Sequence, residues 1–242
     1  MTAEEISDRE RQVYLAQLAE QAERYDEMTE YMKEACMFGQ ELNERERTYL
    51  AVAFKQAVGQ RRSAWRIVCA VEAAEDAKGN HMTTASAAGY RKQIEKELTK
   101  LCQTILSLLT DQLIPGATSA EAKVAFYKAK GDYHRYIAEI SDHKDKTDEV
   151  RCAKAAYEDG TRIAEDALPV TNQHRLGLAL NHAVFYYEVM QKPTDAVRIG
   201  RKAFEDAVRE IDNVGEESVK ESALVMQLLR DNLALWTSEP SH

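Results

Sequence analysis

Helical periodicity runs through nearly the whole of this sequence, and few residues interrupt it. Apolar side chains recur every three or four positions, which is the spacing of one face of an α-helix. Gly and Pro, the residues that disfavour helices most strongly, number only 10 and 4 in a chain of 242 residues. Abundant Ala, Glu, Lys, Leu and Arg favour the same conformation. We therefore predict an all-α protein.

The periodic segments divide into about nine helices. Their predicted ranges are about 7–22, 25–39, 43–75, 83–113, 118–142, 146–167, 172–190, 193–211 and 217–237. Asn43, with Glu46 three residues later, makes a capping-box pattern at the start of the third helix. Pro115 predicts the end of the fourth helix, and Thr118 or Ser119 the start of the fifth. The connections are short and none is a linker rich in Pro, Gly or Ser, so we predict one continuous antiparallel array.

The formal net charge of -9 argues against a general binder of nucleic acids or anionic membranes, because both need a basic surface. Net charge does not exclude a local basic groove. The first residues are acidic and lack the apolar core of a secretory signal. No apolar run approaches the roughly 18 residues that a membrane span needs. Nucleic acid and membrane are therefore not among the predicted partners.

Four cysteines lie far apart in the sequence and form no Cys-x-x-Cys pair. They are Cys36, Cys69, Cys102 and Cys152. Scattered thiols on helical segments are typical of buried structural residues in a reducing compartment. We therefore expect a protein of the cytoplasm, which also reaches the nucleus.

A stripe of basic residues follows one face of the third helix. Lys55, Gly59, Arg62 and Arg66 are separated by steps of four, three and four. A solvated basic face is one interpretation. A second is a binding surface, because Gly in mid-helix costs about 1 kcal/mol relative to Ala and often marks a close approach. The apolar residues around the stripe predict a helix largely enclosed by protein; they are Ala51, Val52, Phe54, Val58 and Trp65.

The fifth helix carries a second charged cluster. Lys128, Asp132, Arg135 and Tyr136 fall on one side of it, and Gly131 again lies in mid-helix. Asp132 precedes Arg135 by three positions and Tyr136 by four, so its carboxylate is placed to orient both. Such a cluster is either a structural hydrogen-bond network or part of a functional site.

The two basic faces suggest a phosphate site if the third and fifth helices are neighbours. Lys55, Arg62 and Arg135 would then converge with the hydroxyl of Tyr136. Guanidinium groups match phosphate oxygens bidentately, so three cations and one neutral donor suit a phosphate dianion. No Gly-rich nucleotide loop accompanies them.

The last helices present a surface of mixed apolar and amide character. On the seventh helix it consists of Leu180, Asn181, Val184 and Glu188, and on the ninth of Leu224, Leu228, Asn232 and Trp236. An Asn in an apolar stripe must satisfy its amide, since an unpaired buried polar group costs about 1–3 kcal/mol. Its partner is either inside the protein or the backbone of a bound extended peptide.

Several segments of the chain resemble the 14-3-3 family, in matching order and over essentially the whole length. They read LAEQAERYD (18–26), VAFK (52–55), RRSAWR (61–66), KGDYHRY (130–136), RLGLALN (175–181), VFYYE (184–188) and MQLLRDNLALW (226–236). The resemblance implies a cup-shaped protomer of nine helices with an amphipathic groove. It also implies a dimeric adaptor that binds phosphoserine or phosphothreonine segments of client proteins and regulates their conformation, location or partners.

The resemblance implies a single domain, residues 1–242, with helices 1–4 for dimerisation and helices 3, 5, 7 and 9 for the groove. The phosphate-binding positions are Lys55, Arg62, Arg135 and Tyr136. The peptide-binding positions are Asn181 and Asn232 for the backbone, Glu188 and Trp236 beside it, Leu180, Val184, Leu224 and Leu228 as an apolar wall, and Lys128 at the margin.

The resemblance also implies a dimer interface, in which this chain departs from the family. Arg24 and Glu97 match a salt bridge between subunits, and Tyr90 matches an interfacial aromatic residue. A second acid–lysine pair falls at Glu27 and Gln93, so its cation is missing. An exposed pair contributes only about 0–1 kcal/mol. We therefore expect a homodimer, or a heterodimer with a paralogue, of reduced strength.

Two other classes of protein remain as alternatives. An enzyme would need a nucleophile, a metal site or a paired acid and base, and the six histidines form no short metal-ligand pair. The Glu-x-x-His at Glu239 is interrupted by Pro240, unlike a di-iron motif. We expect no cofactor and no catalysis. The second alternative is a helical-repeat scaffold for unmodified peptides, although no consensus repeat of about 34 residues recurs in register.

Overall fold

The computed structural model describes residues 6–141 and 143–238, without the side chains of 143–145. Within these ranges the chain forms nine main helices and no strand, which confirms the all-α prediction. They are α1 (Asp8–Gln21), α2 (Tyr25–Met37), α3 (Glu44–Ala77), α4 (His81–Leu108), α5 (Ala120–Ile140), α6 (His143–Ala167), α7 (Gln173–Glu188), α8 (Pro193–Glu210) and α9 (Glu216–Ser238). No helix in the described part of the chain is both long enough and apolar enough to cross a membrane.

The predicted capping residues begin two of these helices. The side chain of Asn43 accepts a 3.0 Å hydrogen bond from the backbone N–H of Glu46, and the Glu46 carboxylate accepts one from the N–H of Asn43. This reciprocal pair is the capping box. At α5 the capping residue is Ser119, whose hydroxyl accepts from the N–H of Ala122 at 3.1 Å.

The fourth helix is longer than predicted. After α4 the chain continues through a π-helical turn, Leu109–Leu113, and a short helical turn, Ile114–Gly116. Pro115 therefore lies inside the last turn instead of following the helix. Proline has no N–H and cannot extend the helical hydrogen-bond ladder, so the helix ends one residue later.

The described chain divides into two compact units between Gly116 and Ala117. In the first unit α1 packs against α2 and α3, α2 packs against α3, and α3 packs against α4. Arg9 donates two hydrogen bonds, at 2.8 and 2.7 Å, to the carboxylate of Glu46 and so connects α1 to the start of α3. The single domain inferred for residues 1–242 stays a prediction.

Only the first half of α3 is enclosed. Its buried residues end at Val58, and none of the described residues from Gly59 to Ala77 is buried. Ile67 and Val71 remain 65% and 49% exposed. The prediction of a largely enclosed helix is therefore wrong for its second half, where the neighbouring helices leave every residue at least partly exposed.

In the second unit α7 lies at the centre of the packing. It contacts α5, α6, α8 and α9, while α5 also packs on α6 and α8 on α9. One core cluster includes Val124, Tyr157, Leu178 and Phe185. Two smaller clusters join α7 and α8 to α9; their buried members are Leu176, Leu180, Ala183, Ala196, Ala207, Leu229 and Trp236. Residues of α7 therefore contribute to all three of these core clusters.

All four cysteines are free thiols, but only two of them are buried. Cys36 and Cys102 are buried, whereas Cys69 and Cys152 are half-buried. Burial raises the pKa of the Cys36 thiol to about 11, so it stays protonated and unreactive at neutral pH. The prediction of four buried thiols is thus confirmed for one pair and wrong for the other.

Candidate functional site

The carboxylate of Asp132 is the centre of a buried polar cluster in the second unit. Its side chain accepts 2.9 Å hydrogen bonds from Lys128, one turn earlier on α5, and from Nδ2 of Asn181 on α7. It also accepts a 2.6 Å hydrogen bond from the hydroxyl of Tyr157 on α6. Asp132 is only 6% exposed. Three helices therefore meet on one buried carboxylate.

Arg135 extends this cluster towards the surface. Its Nη2 lies 3.4 Å from Oδ1 of Asp132, and its Nε lies 3.4 Å from the hydroxyl of Tyr157. The guanidinium carbon lies 4.8 Å from the centre of the Tyr136 ring, a cation–π arrangement. Nη1 lies 3.7 Å from the carboxylate of Glu188, which is mostly exposed. The guanidinium is thus held between two rings and two acids.

Burial and charge act in opposite directions on the pKa values of this cluster. Burial alone would raise the pKa of Asp132, but Lys128 and Arg135 lower it below its usual value. Burial alone would lower the pKa values of Lys128 and Arg135, but the negative charge of Asp132 helps to raise both. All three groups are therefore charged at neutral pH. The two cations share one buried carboxylate, and the second acid beside Arg135, Glu188, is mostly exposed, so the positive charge is not fully offset inside the protein.

Tyr157 belongs to this cluster, although no sequence pattern singled it out. Burial, followed by the nearby Asp132 carboxylate, raises the pKa of Tyr157 well above its ordinary value, so its hydroxyl remains a donor. The mid-helix Gly131 was an indirect indication that another side chain approaches α5 closely at this point. A Cβ atom at Gly131 would lie 2.6 Å from Cε1 of Tyr157, so only glycine permits this approach of α6 to α5.

The two candidate amides are held in different ways. Asn181 uses Nδ2 to bind both oxygens of Asp132, so the internal partner considered for this amide exists. Its Oδ1 has no hydrogen-bond partner among the described residues. Asn232 donates from Nδ2 to the carbonyl oxygen of Leu228, one turn earlier in α9, at 2.8 Å. In both residues the hydrogen bond donated by Nδ2 fixes the orientation of the amide. The side-chain oxygen, Oδ1, points away from that contact.

The predicted apolar wall is partly core and partly surface. Leu180 is buried against Leu229, and Val184 packs on the same cluster. Leu224 and Leu228 are 69% and 42% exposed. Exposed leucines at a four-residue spacing on α9 make an apolar strip available to another molecule.

Trp236 lies deeper than its predicted role beside a peptide suggests. It is 7% exposed and stacks on Tyr187 with ring centres 4.9 Å apart and planes inclined by 16°. Its buried neighbours include Ala183 and Ala196. In this structure it mainly connects α9 to α7.

The basic stripe of α3 belongs to the first unit. Lys55 and Arg66 are exposed and Arg62 is half-buried. Lys55 forms no ion pair with any residue in the described ranges. A Cβ atom at Gly59 would meet no described atom within 4 Å, so no described part of the chain makes the close approach that a mid-helix glycine suggested. The convergence of this stripe with Arg135 stays a prediction.

A family model for the 14-3-3 protein matches residues 15–237. The chain belongs to the 14-3-3 family. It is 51% identical over 231 residues to 14-3-3 protein I of Plasmodium falciparum, an alignment that covers 93% of this chain and 88% of that protein. It is 50% identical over 234 residues to 14-3-3 protein epsilon of Drosophila melanogaster, covering 97% and 89% of the two chains. With 14-3-3-like protein GF14 iota of Arabidopsis thaliana it shares 48% identity over 235 residues, covering 96% and 88%.

As a 14-3-3 protein the chain is an adaptor that binds client proteins, a family role distinct from catalysis. Among the side chains of residues 6–141 and 146–238, no three of His, Cys, Asp or Glu are grouped so that they could hold a metal ion. The Glu-x-x-His pattern at Glu239 lies outside the described residues.

The residues that the resemblance assigns to a dimer interface are exposed in the described chain. Tyr90 is 56% exposed, and Arg24 forms an ion pair with Glu27 one turn away. Glu97 lies 3.5 Å from Nε of Arg61 and accepts a 3.2 Å hydrogen bond from Nε2 of Gln93. Gln93, which stands where a lysine was expected, therefore binds Glu97 on its own helix, α4.

Proposed function

We propose that this 14-3-3 protein binds client segments phosphorylated on serine or threonine, and thereby regulates the conformation, location or partners of the client. The phosphate ligands would be Lys55, Arg62, Arg135 and Tyr136. The observation that supports this most strongly is that Lys128 and Arg135 share the single buried carboxylate of Asp132. An incompletely neutralised cation in a protein interior is expensive unless an anion joins it.

Arg135 is already positioned for such an anion. Asp132 and Tyr157 hold its Nη2 and Nε, and the Tyr136 ring restrains its guanidinium plane. Its Nη1 has only a 3.7 Å contact to Glu188, which is too long for a hydrogen bond. A phosphate oxygen could therefore occupy this corner of the guanidinium without displacing the contacts that orient it.

Peptide binding beside the phosphate would use the amides and the exposed leucines. Oδ1 of Asn181 is an acceptor for a peptide N–H, because its Nδ2 is committed to Asp132. Asn232 would act in the same way from α9. The remaining contacts would come from Leu180, Val184, Leu224, Leu228, Trp236, Lys128 and Glu188.

A scaffold for unmodified peptides is the second candidate, and the charge of the cluster argues against it. An unmodified segment brings no dianion to offset the positive charge of Arg135 and Lys128. A scaffold of that kind would gain nothing from a desolvated arginine.

The decisive experiment compares one peptide in two states by isothermal titration. We expect the phosphoserine form to bind at least about tenfold more tightly than the same peptide with serine, a difference of about 1.4 kcal/mol. Equal affinities would contradict the phosphate site. A capture from cell extract, with and without phosphatase treatment, would then identify clients whose binding depends on phosphate.

We further propose that the protein acts as a homodimer, or pairs with a paralogue, in the cytoplasm and nucleus. Two grooves in one dimer raise the effective concentration for a doubly phosphorylated client. Arg24→Glu should weaken self-association in sedimentation equilibrium, and the charge-swapped double variant Arg24→Glu, Glu97→Arg should restore it. Failure of the double variant to restore association would mean that these two residues do not pair between subunits.

A further inference from the structure

Three lysines form an exposed row along α4 of the first unit. Lys92, Lys96 and Lys100 are four residues apart, and all three are exposed. Because an α-helix advances 1.5 Å per residue, the row presents a positive charge about every 6 Å along one helix face. None of the three forms an ion pair with another residue in the described ranges. In a chain with a formal net charge of -9, this row is a local basic surface.

The acids of α4 that lie next to this row are bound to other groups. Glu95 accepts hydrogen bonds from Nη1 of Arg91 at 2.6 Å and from Nε1 of Trp65 at 2.9 Å. Glu97 lies 3.5 Å from Nε of Arg61, and it leaves the helix about 100° away from the lysine that precedes it. The three lysines are therefore available to an anion from outside the described chain.

The same face of α4 leads to a cavity of about 220 Å³ at the end of the helix. Ser107 lines this cavity, is exposed, and follows Lys100 by seven residues, which is about two helical turns. Met37, the last residue of α2, also lines the cavity and is 64% exposed. A cavity of about 150 Å³ is enough to hold benzene, so this cavity has room for a leucine side chain.

The π-helical turn Leu109–Leu113 supplies two further residues of this cavity, Asp111 and Gln112. Nε2 of Gln112 lies 3.8 Å from Sδ of Met37 and so connects the turn to the end of α2. Turns of this kind occur frequently at functional sites. Asp111 is exposed, so it repels an acidic group at the cavity, whereas the lysine row attracts one. A ligand would therefore place its acids along the lysines and an apolar group in the cavity.

We propose that this face of α4 is a second docking surface, which binds an acidic helix of another protein. Glutamates at positions i, i+4 and i+8 of that helix pair with Lys92, Lys96 and Lys100, because two α-helices have the same rise and keep their charges in register. A leucine about two turns further along fills the cavity beside Met37. This surface shares no residue with the proposed phosphopeptide site.

A single helix fits the lysine row better than a wide anionic surface does. A membrane or a nucleic acid duplex would also approach the rest of the acidic chain, which like charges oppose. A helix is only about 10 Å wide, so it can lie along the row and contact little else.

Three helical peptides of about 18 residues test the proposal by fluorescence anisotropy with the full chain. The first carries the three glutamates and the leucine, the second has glutamine at the three acidic positions, and the third has alanine in place of leucine. We expect the first peptide to bind at least about tenfold more tightly than either of the others, and more weakly as the salt concentration rises. Equal affinities, or no binding of the first peptide, would overturn the proposal.

A variant without the lysine row tests where the acidic peptide binds. In it the three lysines are replaced together by Lys92→Gln, Lys96→Gln and Lys100→Gln. We expect its affinity for the first peptide to fall at least about tenfold, while phosphopeptide affinity stays within about twofold of the wild type. The matched control loses the same charge at three exposed arginines, by Arg151→Gln, Arg162→Gln and Arg201→Gln. Equal losses in the two variants would mean that net charge, and not this row, binds the peptide.

Ser107→Phe tests the cavity separately from the lysines. The larger side chain occupies the cavity, so we expect the leucine and alanine peptides to bind this variant with affinities within about twofold of each other. An undiminished preference for leucine would place the apolar contact elsewhere and overturn the assignment of the cavity. Vesicles of phosphatidylcholine and phosphatidylserine are the last probe, and tighter lysine-dependent binding to them than to the first peptide would overturn the choice of a helix as partner.

Discussion

The hydroxyl of Tyr157 donates a 2.6 Å hydrogen bond to Oδ1 of Asp132, and this bond joins α6 to the carboxylate that orients Arg135. The same tyrosine ring packs against the backbone of α5 at Gly131. Stability of the second unit and orientation of Arg135, a residue of the proposed phosphate site, therefore depend on shared atoms. Because of this coupling, a single substitution can change both stability and binding, so both quantities must be measured for each variant.

Tyr157→Phe removes the hydroxyl and leaves the ring. A hydrogen bond to a charged acceptor is worth about 1.5–3 kcal/mol, so we expect the free energy of unfolding in urea to fall by about 2 kcal/mol. Phosphopeptide affinity should fall several-fold, because Arg135 loses one of its restraints. Tyr186→Phe is the matched control, since its hydroxyl has no hydrogen-bond partner in the described chain. A comparable loss in the control would point to ring packing instead.

Gly131→Ala and Gly59→Ala should change stability in opposite directions. At Gly131 the new methyl group would lie 2.6 Å from the Tyr157 ring, and overpacking of this kind costs about 1–3 kcal/mol. At Gly59 there is open space, so alanine should gain up to about 1 kcal/mol of helix propensity. Urea unfolding of both variants measures the difference. Equal changes in the free energy of unfolding would mean that α5 and α6 can accommodate a methyl group at Gly131.

Arg62→Ala and Arg135→Ala should each remove a large share of the preference for phosphoserine peptide. A charged hydrogen bond to phosphate is lost in each case, so we expect affinity to fall by at least about tenfold. Circular dichroism should report unchanged helix content. Arg151→Ala, at an exposed position on α6, is the control. Normal binding by either test variant would remove that arginine from the phosphate site.

Lys55→Glu should weaken phosphopeptide binding more than Lys55→Ala does. Alanine only removes a cation, whereas glutamate adds like-charge repulsion of the phosphate. Lys55 is exposed and has no ion-pair partner in the described ranges, so neither change should alter stability by more than about 0.5 kcal/mol. Lys100→Glu makes the same charge change at another exposed position. Titration calorimetry at two salt concentrations compares the three variants.

His182 should make the stability of the protein depend on pH below neutrality. In the unfolded chain its pKa is about 6.5, and in the folded protein burial lowers that pKa to about 4. The unfolded state therefore binds the proton first, so stability is lost as the pH falls from about 6.5 to about 4, by up to about 3 kcal/mol. His182→Phe should remove this part of the dependence, which urea unfolding at several pH values can measure. If the free energy of unfolding depended on pH in the same way in the wild type and in His182→Phe, the effect would not come from His182.

Local spacing was enough to predict several features correctly. Asn43 and Glu46 are three residues apart, and their capping box needs only the geometry of one helical turn. Asp132 and Arg135 are likewise one turn apart, and the contact predicted between them exists. The family motifs supplied the remaining positions of the predicted groove, because they relate positions that no helical period connects.

Spacing failed where a contact joins distant parts of the chain. Tyr157 lies 25 residues from Asp132 and Asn181 lies 49 residues away, yet both bind its carboxylate. No period in the sequence relates these positions. The exposure of the second half of α3 was predicted wrongly for the same reason, since burial depends on which helices pack there.

The sequence by itself determined the helices, their caps and the charged faces, because these depend on interactions within one or two turns. The tertiary structure decided which charges are buried, that Asp132 is shared by three helices, and that Nε2 of His182 is left without a partner. The physical reason is that desolvation and hydrogen-bond satisfaction depend on every neighbour in space, whereas helix formation depends mainly on neighbours in sequence.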